Sequence, residues 1–238
     1  MVRGISVVSV GLRFIEYRIF HWPVHLKIAT SKPVDTNKQI PKSADWDTVS
    51  AWRKNRRQHL LTKRISLSHR HKNRVRDQIV EILRQQIAPP DGARIGFYWP
   101  MNGEIDLRRL IRDLVSKGAQ AALPVIISKT QPMEFWEWDP KKKLYNRGLW
   151  GIPAPAERKH VRLTVMLVPL LGFDAHGHRL GHGGGYYDRT LATIQPKTLT
   201  IGVGYDFGRL ATIHPQPCDV PLDAIVTEIG ITRFNGNG

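Results

Sequence analysis

LVPLLGFDAHGHRLGHGGGYYDRTL, residues 167–191, sets an apolar run before a glycine-dense loop that holds one arginine, then two tyrosines, an aspartate and a helix-like stretch. Gly181, Gly183, Gly184 and Gly185 carry no side chains, so backbone N–H groups can converge on an anion, and the following helix adds its positive N-terminal end. Arg179 would pair with phosphate oxygens and Asp188 would hold a divalent metal that bridges them, a set that suits a nucleoside triphosphate. The spacing is neither G-x-G-x-x-G nor a Walker A sequence, since no lysine followed by serine or threonine closes it. Glycine clusters between a strand and a helix also make ordinary turns, so the loop alone leaves both readings open.

Outward from this stretch, apolar runs of strand length lie at residues 94–99, 121–127, 133–138, 165–171, 199–205 and 224–229. Helical periods separate several of them, notably at 107–117 and 187–194. This alternation predicts an α/β fold, a single three-layer-type domain with a mostly parallel sheet. Ligands of such sheets bind beyond the carboxyl ends of the strands, which would gather residues 99–104, 173–185 and those after Tyr205 around one cleft. Trp46, Val49 and Trp52 recur at helical spacing and predict a first helix running to about Leu61. Arg53 and Arg57, four apart on that helix, could clasp one polyphosphate, although Lys54 and Arg56 offer a slipped register. Ser68 is positioned to cap a second helix with the stripe Val75, Ile79, Ile82 and Leu83, ending before Pro89.

A chain of 238 residues with a 41% hydrophobic share and seven Trp has the makings of one well-buried domain. The formal net charge is +16, and residues 53–76 carry ten Lys or Arg and no acid. Such a stretch attracts polyanions: ATP, a polyglutamated cofactor, RNA or an anionic membrane surface. Much of it equally suits a solvated helix face. The single cysteine, Cys218, excludes an internal disulfide framework and suits a reducing, cytoplasmic setting. Residues 5–12 are apolar but Arg13, Glu16 and Arg18 follow, so the run is too short to span a bilayer. Residues 1–45 read as an extension outside the catalytic fold, partly disordered around 31–43, with the domain at 46–232 and a tail at 233–238.

Pro169, Phe173 and Asp174 followed by Arg179, Leu180, Gly181, Gly183, Gly185, Tyr186, Tyr187 and Asp188 make P-x-x-x-F-D leading into R-L-G-x-G-x-G-Y-Y-D. This segment resembles the signature of the 5-formyltetrahydrofolate cyclo-ligases, also called methenyltetrahydrofolate synthetases, and weaker matches extend the resemblance over roughly residues 52–227. The resemblance implies an architecture shared with sugar-phosphate isomerases and CoA transferases. It also implies ATP-dependent conversion of 5-formyltetrahydrofolate to 5,10-methenyltetrahydrofolate, with phosphorylation of the formyl oxygen, by a monomer using Mg²⁺.

The resemblance further assigns Arg53 and Arg57 to the triphosphate, with Arg53 standing where the family more often has lysine. Arg179, Leu180, Gly181, His182, Gly183, Gly184, Gly185, Tyr186 and Tyr187 would bind ATP, Arg179 and Tyr187 acting in catalysis. Trp99, Glu104 and Trp150 would bind the folate together with His182, Gly183, Gly184, Gly185 and Tyr186, Glu104 meeting two donors of the pterin edge. Asp188 and Asp219 would hold the metal. Read as residues alone, Glu104 also suits the first turn of a helix, Trp99 a core position, Trp150 a loop anchor and Asp219 a turn before Pro221. A family member that has lost catalysis and binds nucleotide or RNA through its basic face is the alternative; no RNA-recognition signature is present. A sugar-phosphate isomerase or CoA transferase would need a carboxylate base or nucleophile motif that the chain lacks.

Overall fold

The computed structural model describes residues 40–41, 44–86, 92–146, 151–194 and 198–234. The extension expected over residues 1–45 lies outside them except at 40–41 and 44–45. Asp45 starts the first helix, its carboxylate accepting the Thr48 amide at 2.8 Å and so satisfying one of the donors orphaned at a helix N-terminus. This helix, α1 (Trp46–Ser66), runs past the expected end near Leu61. Its inward stripe, Val49, Arg53, Leu60 and Arg64, finishes on an arginine that finds its partners inside the protein. α2 (His69–Gln86) follows at once, with the His71 amide on the Ser68 hydroxyl at 3.2 Å, and it buries Val75, Ile79 and Leu83.

The chain continues through β1 (Arg94–Gly96), α3 (Arg108–Val115), β2 (Gln120–Val125), β3 (Glu134–Glu137), the short pair β4 (Tyr145–Asn146) and β5 (Pro153–Ala154), and β6 (Val165–Pro169). A hairpin, β7 (Gly172–Phe173) and β8 (Arg179–Leu180), then leads into α4 (Tyr186–Thr193). β9 (Leu199–Val203), a 3-10 turn (Asp206–Gly208), β10 (Ala224–Thr227) and β11 (Gly230–Arg233) complete the fold. Seven strands form one sheet in the order β11-β10-β9-β6-β1-β2-β3. Neighbours are parallel from β10 to β2, and each edge strand is antiparallel.

All six expected runs are strands, each shorter than its apolar run. The hairpin, the β4–β5 pair and β11 carry no comparable apolar run, and sequence periodicity missed them. β11 reaches Arg233, and the Phe234 amide donates to the Asp223 carbonyl at 2.8 Å, so order extends into the expected tail.

Alternation along the strands divides the core into two faces. Ile95, Ala121, Leu123, Leu167, Ile201, Val203 and Val226 meet the buried faces of α2 and α3. Ala122, Met166, Val168 and Ile225 point the other way, with Phe135, Leu163 and Phe173, and α4 covers them through Tyr187 and Leu191. α1 packs elsewhere: its Leu60 meets Leu171, Leu180 and Ile213, residues of the loops and hairpin beyond the strands. The strand order reverses direction between β1 and β6, since the chain goes from β1 outward to β2 and β3 and then returns to the far side of β1. A crevice opens at such a reversal.

Gly208 sits where the backbone after β9 crosses the start of the hairpin, and a Cβ there would lie 2.5 Å from the Leu171 carbonyl oxygen. Gly208→Ala therefore has to move backbone. It should cost about 1–3 kcal/mol, seen as a lower urea midpoint at unchanged slope.

Candidate functional site

The two loops that flank the reversal carry the site. After β1, Asn102 and Gly103 both take positive φ, 48° and 79°, and the Glu104 amide closes back on the Met101 carbonyl at 2.9 Å. Asn-Gly is the dipeptide that tolerates this paired left-handed geometry. Glu104 locks the turn by accepting the Met101 amide on Oε2 at 2.9 Å, which leaves Oε1 facing His182 Nε2 at 3.2 Å. The Tyr205 hydroxyl donates to the Gly103 carbonyl at 3.0 Å, so the three expected loop regions do converge.

Arg64 fills the space beneath. It is 2% exposed, donates from Nε to the Asn102 carbonyl at 3.0 Å and from Nη1 to the Leu170 carbonyl at 3.4 Å, and places Nη2 3.8 Å from Glu104 Oε1. Burial lowers its pKa from the ordinary arginine value, opposed by the Glu104 charge. Sequence reading missed this residue. The available signal was the spacing 53, 57, 60, 64, a single helix face in which Leu60 shows that the face is buried.

After β8 comes the glycine loop. Gly183 and Gly185 hold φ of 94° and 67°, values that a side chain would strain, and Gly185 is the residue just before α4. A Cβ on Gly183 would lie 3.3 Å from the Arg57 guanidinium carbon, so this arginine lies flat against the loop. Arg57 Nε donates to the Gly181 carbonyl at 2.9 Å, while its two Nη groups have no hydrogen-bond partner among the described residues. Burial lowers its pKa from the ordinary value, the Arg53 cation adds to that, and Asp219 opposes it. In the slipped register Lys54 is exposed and Arg56 stands over the Trp52 ring at 5.4 Å, so Arg53 and Arg57 are the pair turned inward.

Arg53 is differently placed. Its fork is filled by both oxygens of Asp219, at 2.5 and 3.3 Å, and by the Ile213 and His214 carbonyls at 3.0 and 2.8 Å. Arg179 likewise turns beneath the loop: Nη1 donates to the Val220 carbonyl at 2.9 Å, and Nη2 lies 2.8 Å from Asp188 Oδ1 at an angle outside hydrogen-bond geometry. Asp188 Oδ1 also accepts the Val220 amide at 3.2 Å, and Oδ2 has no partner among the described residues. Asp188 thus keeps an oxygen that a cation could share, whereas both oxygens of Asp219 already serve Arg53. No group of three or more His, Cys, Asp or Glu suited to a metal occurs among the described residues. Asp174, beside the loop, accepts the His176 and His178 amides on one oxygen and the Ile213 amide on the other, at 3.0, 3.1 and 3.4 Å, and so shapes the backbone.

Tyr187 packs on the α4 side of the core, and burial pushes its phenol pKa up, with the Glu104 charge adding and Arg179 opposing. It therefore remains a protonated donor. Tyr186 has the Arg189 guanidinium over its ring at 4.7 Å, and Trp99 is half-buried with Arg108 over its ring at 4.8 Å. Trp150 lies outside the described residues.

Residues 49–228 match the model of the 5-formyltetrahydrofolate cyclo-ligase family. The chain is 32% identical over 139 residues to the 5-formyltetrahydrofolate cyclo-ligase of Escherichia coli K12, covering 56% of this chain and 76% of that protein. Its fold is similar to the solved 5,10-methenyltetrahydrofolate synthetase of Aquifex aeolicus, with a TM-score of 0.66 at 29% identity over 78% of this chain and 94% of that one. The synthetase of Mycoplasma pneumoniae gives a TM-score of 0.62 at 25% identity, covering 74% and 98%.

The strap that holds Arg53 contains a strained histidine. His214 has φ 53°, is buried, and leaves Nε2 without a hydrogen-bond partner among the described residues; burial first and Arg53 second lower its pKa below the ordinary 6.5. The unfolded chain then takes up the proton first, so the stability held by neutral His214 is present above that ordinary value and is lost as pH falls below it. His214→Asn, which tolerates the left-handed backbone, should lose less stability than the parent protein between about pH 7.5 and about pH 5.5 in urea titrations. Parallel losses in the two proteins would contradict this.

Proposed function

The chain belongs to the 5-formyltetrahydrofolate cyclo-ligase family, and from that membership we infer how its cleft converts 5-formyltetrahydrofolate and ATP into 5,10-methenyltetrahydrofolate, ADP and phosphate. The chemical obstacle is the formyl group, whose nitrogen lone pair is delocalised and whose oxygen leaves poorly. Attack of that oxygen on the γ-phosphorus, with ADP departing, removes both faults. The neighbouring folate amine then adds to the activated carbon, loses its proton and expels phosphate. No protein nucleophile is required, so the protein has to align the groups and neutralise spreading charge.

The observation that carries the assignment is Arg57. It is a half-buried cation whose Nη donors are unengaged among the described residues, and it lies flat against Gly183, where a side chain would crowd it. We assign it direct contact with the triphosphate, with the amides of Gly181, His182, Gly183, Gly184 and Gly185 and the N-terminus of α4 around it. Arg53 acts from behind through its charge. The misaligned Nη2 of Arg179 is the donor for the transferring phosphoryl group, and Tyr187 supplies a neutral hydroxyl. On the folate side Glu104 takes the pterin donors, with Trp99, Tyr186 and Trp150 as ring contacts. Mg²⁺ would supply charge neutralisation there; Asp188 Oδ2 could hold it, and Asp219 could do so only by giving up Arg53.

Lys54, Lys63, Arg70 and Arg74 remain exposed and give the surface a positive potential suited to a polyglutamated substrate, with RNA a secondary partner. No helix among the described residues is long and apolar enough to cross a membrane. The exposed, unpaired Cys218 fits a reducing cytoplasm, and the chain acts as a monomer in this reading. The complete glycine loop together with Arg57 and Glu104 supports turnover over an inactive binding protein.

The decisive assay mixes the protein with 5-formyltetrahydrofolate, Mg²⁺ and ATP and follows the near-ultraviolet band of the methenyl product. ATP-dependent appearance of the band is expected, and its absence with folded protein would overturn the assignment. Arg57→Ala, losing charge-assisted hydrogen bonds worth about 1.5–3 kcal/mol, should raise the KM for ATP roughly 10- to 100-fold, with a smaller effect on the KM for folate. Glu104→Gln should show the reverse pattern. Removal of residues 1–42, outside the catalytic domain as read here, should keep kcat within about twofold.

A further inference from the structure

Arg64 lies where the two sides of the cleft meet, and its role extends the reading just given for Glu104 and the glycine loop, on which it rests. Three segments converge on its guanidinium. Nε holds the Asn102 carbonyl at 3.0 Å, within the turn that presents Glu104; Nη1 reaches the Leu170 carbonyl at 3.4 Å, just past β6 on the way to the loop; and Nη2 stands 3.4 Å from Nε2 of His182, in the loop itself. The same His182 nitrogen lies 3.2 Å from Glu104 Oε1, and that oxygen lies 3.8 Å from Arg64 Nη2. Arg64, Glu104 and His182 therefore close a triangle across the crevice, and the Arg64 and Glu104 side chains are 2% and 7% exposed.

We propose that Arg64 is a positioning residue that couples the folate half of the cleft to the nucleotide half. A guanidinium is planar and its donors are fixed at set angles, so one partner cannot shift without changing the geometry offered to the others. Its buried charge also cannot release Glu104 cheaply, because an unpaired charge in that place is strongly unfavourable. Tyr205 holds the Gly103 carbonyl from the other side, so the turn is clamped at two successive carbonyls. Movement of His182 when a triphosphate enters the loop is thus passed to the carboxylate that meets the pterin. Coupling between binding sites is reciprocal, so folate must affect nucleotide affinity by the same factor.

The test measures the Kd of 5-formyltetrahydrofolate by calorimetry, alone and with saturating Mg²⁺–ADP, for the parent protein, Arg64→Lys and His182→Ala, together with kcat and both KM values. ADP prevents turnover during the titration. The parent should show a coupling factor of about fivefold or more. In both variants the factor should fall toward one. In Arg64→Lys kcat should fall at least about tenfold, since a point charge cannot hold three segments in a plane. A parent factor of one, or a folded variant that keeps the parent factor, overturns the proposal; a merely structural Arg64 would lower stability and leave the factor intact. His182 is an exposed side chain, so His182→Ala carries the test alone if Arg64→Lys fails to fold. If Glu104→Gln leaves folate affinity unchanged while the factor still collapses in Arg64→Lys, the assignment of Glu104 fails and the coupling through Arg64 stands.

Discussion

Three arginines are almost removed from water at one end of the sheet, and the need to compensate them organises the cleft. Arg53, Arg64 and Arg179 are 5%, 2% and 6% exposed. Stripping a guanidinium of solvent costs several kcal/mol unless carboxylates and carbonyls replace it. Each is matched to one acid: Arg53 to Asp219, Arg64 to Glu104 and Arg179 to Asp188. Each arginine also draws on backbone carbonyls, those of Ile213 and His214 for Arg53, Asn102 and Leu170 for Arg64 and Val220 for Arg179, so the pairs act as fasteners. They tie α1 to the strap around residues 213–219, α1 to the Asn-Gly turn, and β8 to the start of α4. The strap and the Asn-Gly turn have no helix or strand of their own to hold them against the sheet.

This arrangement explains why α1 does not lie on a face of the sheet. Its stripe has one large apolar residue, Leu60, between charged ones, too little to pack on strands but enough to seat on Leu171, Leu180 and Ile213. The polar positions on either side then meet carbonyls that loop backbone leaves unpaired. In the two-sided core below, by contrast, strand alternation sends Leu167 to one face and Met166 and Val168 to the other, and no polar fastening is needed. Apolar burial fixes the sheet; ionic burial fixes the loops.

The same division decides what was legible in the sequence. The parallel sheet, the two buried helices and the glycine loop write themselves in apolar period and glycine spacing. So does the paired face of Arg53 and Arg57, because four residues make one helical turn. Arg64 is hidden among ten cations in the run from 53 to 76, where composition suggests a solvated surface. Its burial depends on the Asn102 and Leu170 carbonyls, 38 and 106 residues away, and no local pattern encodes such partners. The strap is hidden for a similar reason. His214 and Asp219 look like ordinary turn residues until Arg53 is placed between them.

The charge balance of the cleft also bears on what completes it. With each buried arginine opposed by one carboxylate, Asp219 and Glu104 have little capacity left for further cations, and Asp188 keeps one oxygen. Arg57 stands outside this pairing: the charges that act on it are Arg53, which repels it, and Asp219, which is already engaged. A half-buried cation in that position raises the energy of the empty cleft, and an anion set against Gly183 removes the penalty. On the proposed assignment a triphosphate would supply the counter-charge that the folded chain withholds from Arg57.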